Sequence, residues 1–434
     1  MNSHPKVLVV GTTSDYIDWI QRTCPGQGLF LTEPVVRRQA LEESPGKDEE
    51  ILCKLNDSVR TWETVSQHLE RTGIEINGVA CFDCESMELA SILARNLGLP
   101  YPSLRSIRNC RDKHVSKILW HQNDVQCPQV RMIRTVEEAA KFMVEMGGVC
   151  VLKPLIGSGS ELVHLCRNLA DCEKAMPTIQ NGLKKRKLNE GLQKQDSDEK
   201  PDERHQKPNT ENMWVGAEEY IEGVEYSCDF RIENDYINLI RITQKFPGAY
   251  GPLGTTQGYV LVNGLPNGIK LKTLTRILSK GAQALGLDRA ICMVDFIIHN
   301  NQIRLLEMTP RPGGDCLPSL LYRNGRLDIL KMTLDFARKR QMRPGHVLVK
   351  GSLVGLRLHA RKSGVLRHIN SEQMAYDPRV DEVRLIRQPG NKIQIPPEDY
   401  DSWVLGHVIF KPFPEVDLAV QLNELSDQLS VEIN

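Results

Sequence analysis

Along the first hundred residues, short apolar runs alternate with stretches of helical periodicity. KVLVVGTT (residues 6–13) is a β-rich apolar run closed by Gly11, as a buried parallel strand should be. Residues 57–72 space their apolar positions for one face of a helix. GVACFD (78–83) is a second buried strand. ESMELASILARNLGLP (85–100) is a helix with an apolar face, stopped by Gly98 and Pro100. The β-α-β alternation predicts a parallel sheet.

The pattern then changes. Residues 109–147 read as helix, short strand and helix, and VCVLKP (149–154) as a strand. KKRKLNEGLQKQDSDEKPDERHQKPNTEN (184–212) is almost wholly charged or polar and contains prolines. Such a stretch cannot bury a core, so it is expected to be a disordered insert. Order is expected to resume at WVGAEEYIEG. A hairpin-rich stretch follows (224–262), then a helix (270–285), a hairpin near 300 and a helix (326–340). From His346 the chain mixes short strands and turns (SGVL, QPGNKI), as a small α+β domain would. There is no internal repeat.

Composition narrows the function. The 434 residues carry 55 Lys+Arg and 55 Asp+Glu, a formal net charge of +0. That balance gives no attraction for nucleic acid or a membrane surface. No apolar run approaches the ~20 residues of a membrane span. The first residues read as a strand, not a secretion signal. Twelve cysteines are scattered rather than framed, which predicts reduced thiols and a cytoplasmic protein. The one CxxC, Cys81 to Cys84, lacks the partners of a zinc site.

Candidate chemistry concentrates in ICMVDFIIHNNQIRLLEMTPRPGG (291–314). Asp295 lies inside an apolar strand, Glu307 ends the next, and Arg311 follows in a Pro/Gly-rich turn. Acids inside strands are costly unless paired. Two of them with an arginine suggest a hard cation held against phosphate. A structural ion pair is the alternative reading. Parity matters here, because a two-residue loop at Asn300-Asn301 would put the acids on opposite faces. A bulged three-residue loop, which Asn tolerates, would put them on the same face, and that odd length is the expectation.

Three upstream segments bear on phosphate. VLKPLIGSGSELV (151–163) carries Lys153 out of a strand into a glycine-serine loop. Backbone N–H groups there can nest around phosphate oxygens. RNCRDKHVSKILW (108–120) places Lys113 at a helix start, with Asp112 as its N-cap. EEYIEGVEYSCDF (218–230) is strand, glycine turn and strand. Its backbone could read a base edge, and Glu225 could accept from ribose. Each segment alone is equally an ordinary solvated lysine, hairpin tip or edge hairpin.

In this order and spacing, over residues 108–345, the segments resemble the ATP-grasp superfamily. Within it the chain is similar to carboxylate–amine ligases such as L-amino-acid ligases and carnosine synthase. No GxxxxGK[ST] and no GxGxxG is present, so neither a P-loop nor a dinucleotide fingerprint competes. The resemblance implies a mixed α/β and α+β architecture. It comprises a pre-ATP-grasp parallel-sheet (Rossmann-like) domain at 1–107, a two-lobed ATP-grasp core at 108–345 and a small C-terminal α+β domain at 346–434.

It also implies roles. Lys113 and Lys153 match the phosphate-contacting lysines. Gly157, Gly159 and Ser160 match the loop that closes over the phosphates. Glu218, Glu219, Tyr220 and Ile221 match the adenine hinge, and Glu225 the ribose acid. Lys245 resembles a further cation near the γ-phosphate. Asp295 and Glu307 match the metal carboxylates, with Thr309 at the family's usual metal-side asparagine. Arg311 matches the arginine that steadies an acyl phosphate. A second departure is Leu162, where the family's loop usually has glycine.

The implied activity is ATP-dependent, ADP-forming amide synthesis through an acyl phosphate. Its cofactors are ATP with Mg2+ or Mn2+. Its partners are a small-molecule carboxylate and an amine, amino acids among them, with a homodimer as a compatible assembly. The competing expectations are an ATP-dependent carboxylase of the biotin-carboxylase or purine-pathway type and a non-catalytic ATP-binding protein.

Overall fold

Four short apolar strands, β1 (Lys6–Val10), β2 (Gly28–Thr32), β3 (Glu50–Leu52) and β4 (Ile76–Ala80), pair in parallel in the order β3-β2-β1-β4. Every residue of β1 and β2 is buried. That is why these strands read as unbroken apolar runs rather than alternating ones. Helices Ser14–Thr23, Ser58–Thr72 and Met87–Asn96 connect and cover them. The computed structural model describes residues 4–157, 159–191, 213–248, 251–340 and 352–434.

A small antiparallel sheet follows, made of β5 (Val130–Ile133), β6 (Cys150–Lys153), β7 (His164–Cys166) and β8 (Val215–Glu219), in the order β5-β8-β6-β7. Its strands alternate. Cys150 and Leu152 are fully buried in an apolar cluster with residues of helices Val136–Glu145 and Leu169–Gly191. Val151 and Lys153, one step out of phase, line a cavity on the other face. The helix from Leu169 runs to Gly191, so residues 184–191 are helical where disorder was expected. Cys172, Ala175, Met176 and Ile179 anchor its first turns in the core. Lysine, arginine and leucine are good helix formers and extend a helix already nucleated. The rest of the expected insert, 192–212, lies outside the described residues.

The largest sheet is antiparallel and has eight strands. It is built from β9 (Val224–Glu233), β10 (Tyr236–Pro247), β11 (Thr256–Leu261), β12 (Arg289–His299), β13 (Gln302–Thr309) and β14 (Val354–His359), joined by strands of the chain's tail. The tail contains β15 (Gly364–Asn370), β16 (Val380–Leu385), β17 (Lys392–Ile393), β18 (Val404–Phe410) and β19 (Ser430–Ile433). The sheet order is β13-β12-β9-β10-β11-β14-β18-β16, and β15, β17 and β19 form a small sheet of their own. The tail is therefore continuous with the large sheet. Helix Leu271–Ala284 and Trp120 pack in one apolar cluster with Phe230 and Phe296. Helices Leu317–Gly325 and Ile329–Ala337 join a second cluster that reaches Val7 of the first sheet and Ile17 of helix Ser14–Thr23.

The hairpin β12–β13 corrects the expected loop length. His299 pairs with Gln302, so the loop is the two residues Asn300 and Asn301. Both take positive φ, 46° and 62°, as a type I′ turn requires. The register then shifts: Asp295 faces Glu307, whereas Phe296 faces Leu305. One extra residue, Leu306, is therefore inserted as a β-bulge. The bulge, not the loop, brings the two acids together. A β-branched residue fits poorly at positive φ. Asn301→Val should therefore destabilise by about 1–2 kcal/mol, read as a fall of the thermal unfolding midpoint. Asn301→Gly should hold or raise the midpoint. Equal midpoints for the two variants would contradict the turn assignment.

Candidate active site

Asp112 ends one short helix and caps the next, accepting from the backbone N–H groups of His114 and Val115, each at 2.9 Å. That fixes Lys113 at the first helical position, as the sequence predicts. Its Nζ donates to the Gly157 carbonyl at 2.7 Å and lies 3.3 Å from Glu307 Oε2. Lys113 thus ties the helix start to the glycine loop and to β13.

The strand alternation of β6 and β8 sets the next pair. Lys153 Nζ lies 2.7 Å from Glu218 Oε2, and Lys117 Nζ lies 3.0 Å from Glu218 Oε1. Lys117 also donates to the Leu306 carbonyl at 2.8 Å. It is fully buried, and burial pushes it down to about 8 against the pull of Glu218. The two lysines outweigh burial and hold the Glu218 carboxyl below its ordinary range. Glu218 therefore serves these lysines with its side chain. The sequence reading missed Lys117. The available signal was its spacing, four residues after Lys113 on the same helix face.

On the large sheet, Lys245 of β10 donates to Glu225 of β9 and, at 3.1 Å, to Asp295 Oδ2 of β12. Asp295 and Glu225 keep Lys245 protonated despite its burial. Burial pushes the Glu225 carboxyl up, against the pull of Lys245. Burial also pushes Glu307 up, but Lys113, Lys153 and Lys245 prevail and hold it down at about 2. The other oxygen of buried Asp295, Oδ1, has no hydrogen-bond partner among the described residues. An ionised Glu307 directly across the ladder from an unsatisfied carboxylate oxygen is an all-oxygen set. It fits a hard divalent cation such as Mg2+.

The glycine loop leaves β6 over this ground. Gly159 and Ser160 take positive φ, and Ser160 Oγ donates to the Gly254 carbonyl at 2.9 Å. The loop is thereby latched to the turn before β11. Glu219 continues β8, accepting from Gln129 N–H at 3.1 Å and lying 3.3 Å from an Arg304 nitrogen. Tyr220 and Ile221 leave the ladder between β8 and β9, Tyr220 exposed and Ile221 buried.

One cavity of about 470 Å³ collects nearly all the candidates: Lys113, Lys153, Gly157, Gly159, Ser160, Glu218, Glu219, Tyr220, Ile221, Glu225, Lys245, Asp295 and Glu307. That volume lies in the usual range for small-molecule sites. Thr309 and Arg311 do not line it. Thr309 closes the hairpin opposite Met293 and accepts from Arg311 N–H at 2.9 Å. Arg311 turns away toward the first sheet. Its Nε lies 3.1 Å from Cys84 Sγ, and its Nη1 donates to the Pro312 carbonyl at 2.8 Å. Of the three residues expected on one phosphate-facing surface, Asp295 and Glu307 line this cavity and Arg311 does not. Pro310 and Pro312 flank the arginine in the turn that follows β13. All twelve cysteines are free.

Comparison with known proteins agrees with this geometry. Residues 147–319 match the family model of the ATP-grasp domain. The uncharacterized protein y4rH of Sinorhizobium fredii is 24% identical over 312 residues, 69% of this chain. The chain spans 57% of that relative's length. Among solved structures, the L-amino acid ligase from Bacillus licheniformis superposes with a TM-score of 0.74 at 16% identity, covering 100% of both chains. The biotin carboxylase domain of Hydrogenobacter thermophilus 2-oxoglutarate carboxylase, solved with MgADP, ADP and bicarbonate, gives a TM-score of 0.65 at 15% identity. It covers 100% of this chain and 92% of that one. No helix among the described residues is long and apolar enough to cross a membrane. The chain shares the fold of these solved structures along its length, and residues 147–319 match the ATP-grasp domain model.

Proposed function

We propose that this protein is an ADP-forming carboxylate–amine ligase that makes an amide bond through an acyl phosphate. The observation that supports this reading is the facing pair Asp295 and Glu307, ringed by Lys113, Lys153 and Lys245 in one cavity. Such a set suits a triphosphate whose γ-phosphoryl group is transferred, because catalysis of that step is mainly positioning and charge neutralisation. The hinge backbone of 218–221 would hold the base of ATP, and Glu225 the ribose side. Asp295 and Glu307 would hold Mg2+, or Mn2+ with the same oxygen preference. Bound there, the ion supplies neutralisation of phosphate charge.

The reaction then runs in two steps. A carboxylate oxygen attacks the γ-phosphorus, the bond to the bridging oxygen breaks, and ADP leaves. Lys113 and Lys153 draw the charge that spreads over the phosphoryl oxygens. An amine nitrogen next attacks the acyl carbon, phosphate departs with the C–O bonding pair, and the amine releases a proton. The loop carrying Gly157, Gly159 and Ser160 screens the acyl phosphate from water. No nucleophilic side chain is needed. The biotin carboxylase neighbour keeps bicarbonate as an alternative first acceptor. Bicarbonate-dependent ADP release without an amine would favour that reading.

Glu307→Ala should reduce substrate-dependent ADP release by at least a hundredfold, about 2.7 kcal/mol of barrier. Release near the wild-type rate would remove Glu307 from the metal site. With ¹⁸O in the carboxylate, one label should appear in the released phosphate, and unlabelled phosphate would exclude the acyl-phosphate route. Glu307 also links stability to pH. Its folded value of about 2 lies below its ordinary 4.5, so its contribution is present above about pH 4.5 and lost as pH falls toward 2. Over that window wild type should lose stability faster than Glu307→Gln. Parallel acid-denaturation curves would contradict the assignment.

A further inference from the structure

A second cavity of about 830 Å³ lies between the small lobe, the turn at 251–257 and the tail. It shares Val163 and Leu253 with the ATP-site cavity, so the two adjoin across the glycine loop and the turn it is latched to. Apolar groups of the tail form much of its wall, among them Leu358, Tyr400 and Trp403. The Trp403 ring lies 4.3 Å from the ring of His359.

The charges are one-sided. Arg167, Arg357 and Arg361 line the cavity and no aspartate or glutamate does. Arg357 is paired with Asp315 and Arg361 with Asp427. The Arg167 guanidinium has no ion pair among the described residues. His359 is largely buried, and burial, helped by Arg357, pushes it down to about 3. It is therefore neutral, and its Nε2 has no hydrogen-bond partner among the described residues. That nitrogen is covered as well as unpaired, so a ligand in the cavity gains it as a hydrogen-bonding point by turning the ring.

We propose that this cavity binds an apolar organic anion, a carboxylate carried on an aromatic or branched aliphatic body. The body packs on Trp403 and Tyr400. The carboxylate is drawn to the arginine side and accepts from His359 in its Nε2–H tautomer. The same chemistry describes a carboxylate consumed in the adjoining site and an anion that binds without being consumed. Only the first of these rests on the ligase reading.

The test is calorimetric titration of the full chain with 3-phenylpropanoate and with its uncharged amide. The wild type should bind the anion at least tenfold more tightly. Arg167→Glu, at an exposed position, should weaken the anion about tenfold and leave the amide unchanged. Asn423→Trp, placed from the exposed face of helix Leu418–Asp427 into the cavity, should abolish binding of both. MgADP binding, measured in parallel, should be unchanged in both variants, which also reports correct folding. No binding of either probe to wild type, or binding indifferent to both variants, overturns the proposal. With MgATP present, probe-dependent ADP formation assigns the anion as the carboxylate consumed in the adjoining site, and unchanged ADP formation assigns it as an effector; binding in the cavity is upheld in both cases. Loss of MgADP binding in the wild type would instead sink the ligase reading and leave the cavity standing.

Discussion

A buried carboxylate needs a cation in contact with it, and this constraint organises the molecule. Removing one partner of a buried pair leaves an uncompensated charge, at a cost of about 3–5 kcal/mol. Glu218 is 3% exposed and meets two lysines from two elements, Lys117 from a helix and Lys153 from β6. Asp229, fully buried on β9, receives Arg241 of β10 through two nitrogens at 2.8 and 3.0 Å. It also accepts from Gly313 N–H at 3.0 Å. That third bond pins the turn after β13, the segment that carries Arg311. The ion pairs therefore fix how the helix, the small sheet and the large sheet meet, and the cavity is the space they leave.

The bulge at Leu306 belongs to the same network. It turns Glu307 onto the face of Asp295. It also interrupts the ladder, and the Leu306 carbonyl accepts from buried Lys117. One inserted residue thus places a carboxylate toward the cavity and satisfies a buried ammonium behind it. Neither consequence follows from a regular hairpin, in which the period of two would send the acids to opposite faces.

Much of this was legible in the sequence, for identifiable reasons. The unbroken run of β1 and the apolar run from Gly78 announced a parallel sheet because both faces of that sheet are covered. Asp112 announced the helix that carries Lys113, since capping is local chemistry. The same-face relation of Asp295 and Glu307 was anticipated, but through the wrong device, because a bulge leaves no composition signal whereas a loop does. Lys117 was passed over because a lysine is ordinarily solvated, and only the fold reveals that Glu218 awaits it. Arg311 was placed with the carboxylates by proximity in sequence. Sequence spacing does not report which way a proline-flanked turn directs a side chain. The charged stretch after Leu183 was read from composition alone, which does not register that a helix anchored upstream can carry eight more residues.

Leu162 shows how a departure in one position is absorbed in another. It stands at φ 55°, a conformation that costs a non-glycine residue about 1–2 kcal/mol. Its side chain is 2% exposed in the core of the small lobe, and burying a leucine contributes about 1.5–3 kcal/mol, enough to offset the backbone. The room for it comes from Gly182 on the facing helix, where a Cβ would lie 2.5 Å from Leu162 Cδ1. The glycine absent from the loop has its counterpart on the helix. The exchange anchors the far end of the glycine loop in the apolar cluster around the small antiparallel sheet, while Ser160 latches its tip to Gly254.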